Sequence, residues 1–245
     1  MSTWAYTRLE LLRTSRNVRF MFFSLGFPLL LYFLIAGPNR HEQSFGDTHI
    51  PIPLYFMVTL ASFGTMTGMV TTGARIAFER TVGWTRQLRV TPLSAAGYFR
   101  AKLITAYSTA VITIVLVYSA GLVLGVSMPA GRWFAMTGLI LVGLAPFAAL
   151  GITLGHLLDS DAVGPAAGGT VSLLAFVSGT WFPIDSDSVL HLFAQWLPSY
   201  WLVQASHISL GGAAWGVRGW AVVIGWTAIL TATAVAAFRR DTQRV

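Results

Sequence analysis

Six apolar runs, each close to bilayer length, leave this chain few ways to fold. They cover 20–37, 52–74, 103–126, 133–155, 162–184 and 217–238, and none contains an acidic residue. A helix needs about 20 mostly apolar residues to cross the hydrocarbon core. A soluble domain carries about 25% charged residues, whereas this chain has 10% and cannot cover a water-facing surface. In lipid the backbone must satisfy its own hydrogen bonds, which a helix does within one segment. The expected fold is therefore an all-α integral membrane domain over 1–245 with six transmembrane helices.

The charges then set the topology. Thirteen of the sixteen basic residues lie before run one, between runs two and three, or after run six; only Arg40, Arg132 and Arg218 lie on the other side. The positive-inside rule puts both termini in the cytoplasm. The net charge of +7 is thus assigned to a membrane surface and not to nucleic acid. Cysteine is absent, which excludes disulfides and thiolate chemistry. A cleaved signal peptide fits poorly: the first apolar run exceeds the usual ~7–15 residues, and no A-x-A-like site follows it.

Residues 1–19 read as a basic amphipathic helix at the membrane surface. Trp4, Leu11 and Val18 are seven apart, with Arg8, Arg13, Arg16 and Arg19 on the other side. An ordinary basic tail that sets topology is the plainer account.

The longest basic segment between runs is "FERTVGWTRQLRVTPLSAAGYFRAKL", Phe78 to Leu103. Thr81, Trp84 and Leu88 fall at helical spacing, and Thr91-Pro92 stops that helix. Ser94 is placed to cap a new helix running through Arg100 and Lys102 into the third span. The expected result is a short helix across the cytoplasmic surface, then a turn, then the span. Topology alone also asks for a basic loop here.

This segment resembles the cytoplasmic loop of type-2 ABC transporter permeases, at Glu79, Gly83, Leu88, Thr91, Pro92, Leu93, Ser94 and Lys102. The stretch "SGTWFPIDSDSVLHLFAQWLPSYWLVQASH" is similar to the segment such permeases carry before their sixth span. The resemblance implies a bacterial inner-membrane permease for efflux, of the drug and antibiotic exporter type. It would pair with a second copy or a paralogue and be driven by two ATPase subunits that hold the ATP and magnesium. The loop would be the ATPase-coupling element, through Glu79, Arg80, Gly83, Trp84, Gln87, Leu88, Arg89, Thr91 and Pro92. The chain itself has no G-x-x-x-x-G-K-[ST] phosphate loop, and no enzymatic role or cofactor of its own is expected.

In span two, Ala61, Gly64, Gly68 and Thr72 form a small-residue stripe suited either to packing within the chain or to a dimer seam. Phe56, Phe63 and Met66, with Trp181 and Phe182 after span five, are the candidate substrate path; such residues also commonly face lipid. No charge lies within these spans, which favours a hydrophobic or amphipathic cargo. Residues 185–198 are too apolar for a free loop and too short to span, and read as an external re-entrant or interfacial helical pair capped by Asp185, Ser186 or Asp187. It would be a lid or a surface anchor. His41, His49, His191 and His207 fall on the outer side, but "HEQSF" lacks the second histidine of a zinc motif. The competing functions are export of a lipid-linked glycan, a membrane enzyme or an ATP-independent carrier.

Overall fold

The computed structural model describes residues 3–41, 50–84, 87, 91, 93–210 and 215–243. Every regular element among them is helical: α1 (Thr3–Ser15), α2 (Val18–Ala36), α3 (Ile52–Ala74), α4 (Ile76–Thr81), α5 (Ala95–Val123), α6 (Ala130–Gly143), α7 (Ala145–Leu157), α8 (Ser160–Val177), α9 (Val189–Ala194), α10 (Pro198–Gln204), a 3₁₀ turn (Ala205–Leu210) and α11 (Val217–Gln243). Six stretches among the described residues are long and apolar enough to span a membrane: α2, α3 with α4, α5, α6 with α7, α8, and α11.

The axis of the bundle is α3, buried along almost its whole length against α2, α5, α7 and α8. Its small residues explain this. Lipid supplies little hydrophobic drive between helices, so association rests on close packing. Pro28 cannot donate a backbone hydrogen bond, and a π-helical turn, Phe22–Gly26, precedes it in α2. The Ser24 carbonyl accepts instead from the Thr113 hydroxyl of α5 at 3.4 Å. The Ser24 hydroxyl in turn donates to the Gly64 carbonyl of α3 at 3.4 Å. A Cβ at Gly64 would sit 2.8 Å from both the Ser24 carbonyl and the Pro28 ring. Ala61, Gly64, Gly68 and Thr72 are thus used inside the chain.

The tightest crossing joins α3 to α7. A Cβ at Gly73 would fall inside the backbone of Gly151, and one at Gly151 inside that of Val70. Helix α7 is separated from α6 at Leu144, just before Pro146.

Several boundaries differ from the sequence reading. The third span begins at Ala95, not Leu103, because the Ser94 hydroxyl caps it by accepting from Gly97 N–H at 3.1 Å. The fifth ends at Val177, not Ile184, where Gly179 turns left-handed at φ +81°. Helix α1 stops at Ser15, and Asn17 caps α2 separately, so Trp4 and Val18 do not share one helix. The face that α1 buries carries Tyr6, Thr7, Glu10 and Thr14, while Trp4, Leu9 and Leu12 are exposed. The apolar side therefore points away from the bundle.

At the opposite end, α9 is capped by Ser188, which accepts from His191 N–H at 3.1 Å; Asp185 instead accepts from Asp187 N–H at 3.2 Å. Indole N–H groups fasten this segment down. Trp201 donates to the Gln195 carbonyl at 3.1 Å, Trp215 to that of Trp201 at 2.7 Å and Trp226 to that of Trp196 at 2.7 Å.

The glycine crossing yields a paired prediction. Gly73→Ala forces backbone against backbone and lowers stability by about 1–3 kcal/mol or more. Gly168→Ala, where a Cβ meets nothing within 4 Å, changes it little. Thermal unfolding of the two variants in detergent micelles compares them.

Candidate functional site: a charge network at the basic end

Helix α4 follows α3 after a break at Arg75, so Glu79 and Arg80 lie at the end of the second span and not in a separate loop helix. Consecutive residues of a helix point about 100° apart. Glu79 and Arg80 accordingly reach different neighbours.

Glu79 points inward. Its carboxylate pairs with the Lys102 ammonium of α5, accepts from the Tyr98 hydroxyl at 2.7 Å and lies 3.4 Å from the Arg13 guanidinium of α1. Lys102 pairs a second time with Glu10 of α1 at 3.0 Å. The Tyr6 hydroxyl donates to Glu10 at 3.3 Å. Side-chain exposure is 1% for Glu79, 2% for Lys102 and 3% for Glu10, against 46% for Arg13. Two acids and two bases cancel, which is the condition for burying them at all. Burial, then the nearby Glu79 and Glu10 carboxylates, push the Tyr6 hydroxyl well above its ordinary range, so it remains a neutral donor. Around these charges pack Tyr6, Ile76, Tyr98, Ala101, Ile152 and Ala234, with Trp84, Leu93 and Phe99 at the margin.

Arg80 points the other way. One guanidinium nitrogen donates to the carbonyls of Gly155, His156 and Leu158, at 3.3, 3.0 and 3.3 Å. It thereby satisfies the orphan carbonyls at the C-terminus of α7, where the helix dipole favours a cation. Its Nε lies 3.0 Å from Asp241 of α11, which also meets His156 Nδ1 at 3.0 Å. Arg75 donates to the Thr14 hydroxyl at 3.0 Å, tying α3 to α1. The assembly holds α1, α4, α5, α7 and α11 together.

The remaining loop residues are arranged differently. Gly83 sits at φ +70° and separates Thr81, the last residue of α4, from the helical residues Trp84 and Gln87, where Gln87 N–H donates to the Gly83 carbonyl at 3.2 Å. Trp84 is half-buried, Gln87 exposed and Thr91 half-buried. Arg86, Leu88, Arg89 and Pro92 lie outside the described residues, as do Glu42, Asp47, His49 and Arg244. Glu79 was expected among contact residues; its carboxylate is instead enclosed by its own chain.

The substrate-path candidates separate. Phe63 and Trp181 meet with ring centroids 5.4 Å apart, while Phe56 and Met66 are buried in the core and Phe182 is exposed beside Phe176. Phe63 borders an open groove of about 600 Å³ between α2, α3 and α8. Phe20, Phe23 and Phe27 line it too, with Arg19 and Arg75 also on its wall. Among the described residues no group of three His, Asp or Glu converges as a metal site.

Sequence reasoning missed Glu10, Asp241 and His156 as partners. A signal existed: the chain has nine acidic residues, and Glu10, Glu79 and Asp241 are the three that stand among its basic segments.

Removing the central cation tests the network. Lys102→Met leaves two buried carboxylates with one half-exposed guanidinium and costs about 3–5 kcal/mol. The triple change Glu10→Gln, Glu79→Gln, Lys102→Met recovers most of it, because no charge is then stranded. Chemical unfolding in micelles measures both.

Comparison with known proteins agrees with this architecture. The chain is 28% identical over 218 residues to the protein named "Putative transport permease YvfS" of Bacillus subtilis (strain 168), covering 86% of this chain and 83% of that one. The model of the ABC-2 family transporter proteins matches residues 43–238, which takes in four of the six spans whole, the last span as far as 238, and the whole of α3 through α10. The chain belongs to the ABC-2 family of transporter proteins, as a multi-pass membrane permease.

Proposed function

We propose that this permease is the membrane subunit of an ATP-driven exporter, paired with a second copy or a paralogue and driven by two cytoplasmic ATPase subunits. One observation carries the reading: the family match spans 43–238 in a chain with no phosphate-binding loop of its own. Energy must then come from a partner. The basic end faces the cytoplasm by the positive-inside rule, with both termini there. The docking surface is the segment after α4, through Gly83, Trp84, Gln87, Leu88, Arg89, Thr91 and Pro92. Glu79 and Arg80 support that segment from within. Exposed Trp4, Leu9 and Leu12 suit α1 to lie on the membrane surface, and the Trp-pinned α9–α10 pair suits the outer interface.

A hydrophobic or amphipathic cargo is the best-supported substrate class. The groove beside Phe63 is walled by aromatic side chains and carries two arginines. Such a surface fits an apolar body with a polar or anionic head. Phe63 with Trp181 forms the part of the path that this reading places next to the cargo.

Co-expression with a cognate ATPase tests the proposal. The two co-purify, the purified permease alone hydrolyses no ATP, and inside-out vesicles holding both accumulate a hydrophobic anionic dye on adding ATP. Hydrolysis by the permease alone, or failure to associate with any ATPase, overturns it.

A further inference from the structure

We infer that α4 is a yoke with two unequal arms: the Glu79 arm stays closed throughout transport, and the Arg80 arm opens during each cycle. The inference rests on the proposed coupling to an ATPase and concerns how a push on the loop after α4 reaches the spans.

Glu79 joins α4 to α1 and α5, and Arg80 joins it to α7 and α11. One short helix therefore touches both halves of the bundle through neighbouring side chains of opposite charge. The arms differ in their access to water. In the Glu79 arm the three central charges are at most 3% exposed. Separating them would strand charges in a dry interior, which is strongly unfavourable. In the Arg80 arm, Arg80 is 27% exposed and Asp241 is 21% exposed. Water reaches Arg80 and Asp241 there, whereas His156, which also meets Asp241, has a side chain only 3% exposed, so separation costs less than in the Glu79 arm without being free. Of the three carbonyls that Arg80 serves, that of Leu158 belongs to a half-buried residue at the helix end that water can serve, while Gly155 and His156 are buried. A stroke delivered to α4 thus carries α1 and α5 with it as one body. The same stroke parts α4 from α7 and α11. Lys102, Glu10 and Asp241 become positioning residues for transport, acting through α4.

The absence of cysteine makes the test clean. Two cysteine pairs are introduced at exposed positions, Leu9→Cys with Arg100→Cys across the fixed arm, and Thr81→Cys with Arg240→Cys across the opening arm. In vesicles holding permease and ATPase, a reducible bis-maleimide across the opening arm lowers ATP-driven transport at least about fivefold, and reduction of the linker restores it. The same linker across the fixed arm leaves transport intact. Transport that survives the first link, or stops with the second, overturns the yoke.

A second measurement needs no ATPase. With spin labels on the same pairs in the full-length permease, Asp241→Asn broadens the α4–α11 distance distribution and leaves α1–α5 narrow. Asp241→Glu keeps both narrow. Equal broadening of both pairs, or of neither, with Asp241→Asn also overturns it. Failure of the unlinked permease to transport with any ATPase counts against the proposed function, while the spin-label result still decides the yoke.

Discussion

The Lys102 ammonium, held between the Glu10 and Glu79 carboxylates and closed off from water, is the interaction on which the basic end of this protein depends. A buried charge is tolerable only when paired and hydrogen-bonded. Meeting that condition draws three segments that are far apart in sequence into one place: the N-terminal helix, the end of the second span and the start of the third. Tyr6 and Tyr98 supply the remaining donors, and the aromatic and aliphatic side chains around them keep water out. A membrane helix bundle has little hydrophobic drive to order its ends. Here an ion network supplies that order.

Within the spans the means of attachment is different. Gly73, Gly151 and Gly155 bring α3 and α7 into backbone contact, and Gly64 admits the bent segment of α2 around Ser24 and Pro28. Such contacts maximise dispersion over short distances and need no charge. The protein thus joins two regimes. Its middle is close-packed and apolar, and its basic end is a fitted set of charges. Glu79 and Arg80 stand where the second span passes from one regime to the other.

Much of the fold was legible in the sequence because lipid imposes length and polarity on each spanning segment. The six apolar runs and the Ser94 cap follow from local rules, whereas the left-handed turn at Gly83 falls inside the stretch 81–88 that the spacing assigned to one helix. The site was legible only in part. The resemblance marked Glu79 and Arg80 as ATPase-coupling residues, whereas the Glu79 carboxylate is enclosed by its own chain. A single helix's pattern does not say which polar side is buried when the partner is another charged helix. In α1 the pattern marked Trp4 as belonging to an apolar side free of the arginines, and Trp4 is exposed, but it gave no sign that Glu10 turns inward to Lys102. The small stripe of span two was equally ambiguous, since a dimer seam and an internal crossing need the same residues.

The sequence by itself determined that the chain is a six-span helical membrane protein with its positive charge gathered at one end, because the bilayer reads only length, apolarity and charge. Tertiary structure alone decided which of those charges are spent inside. Glu10, Glu79 and Lys102 are separated by long stretches of chain, as are Arg80 and Asp241. Only the helix packing brings them within hydrogen-bond distance and excludes the water that would otherwise weaken them.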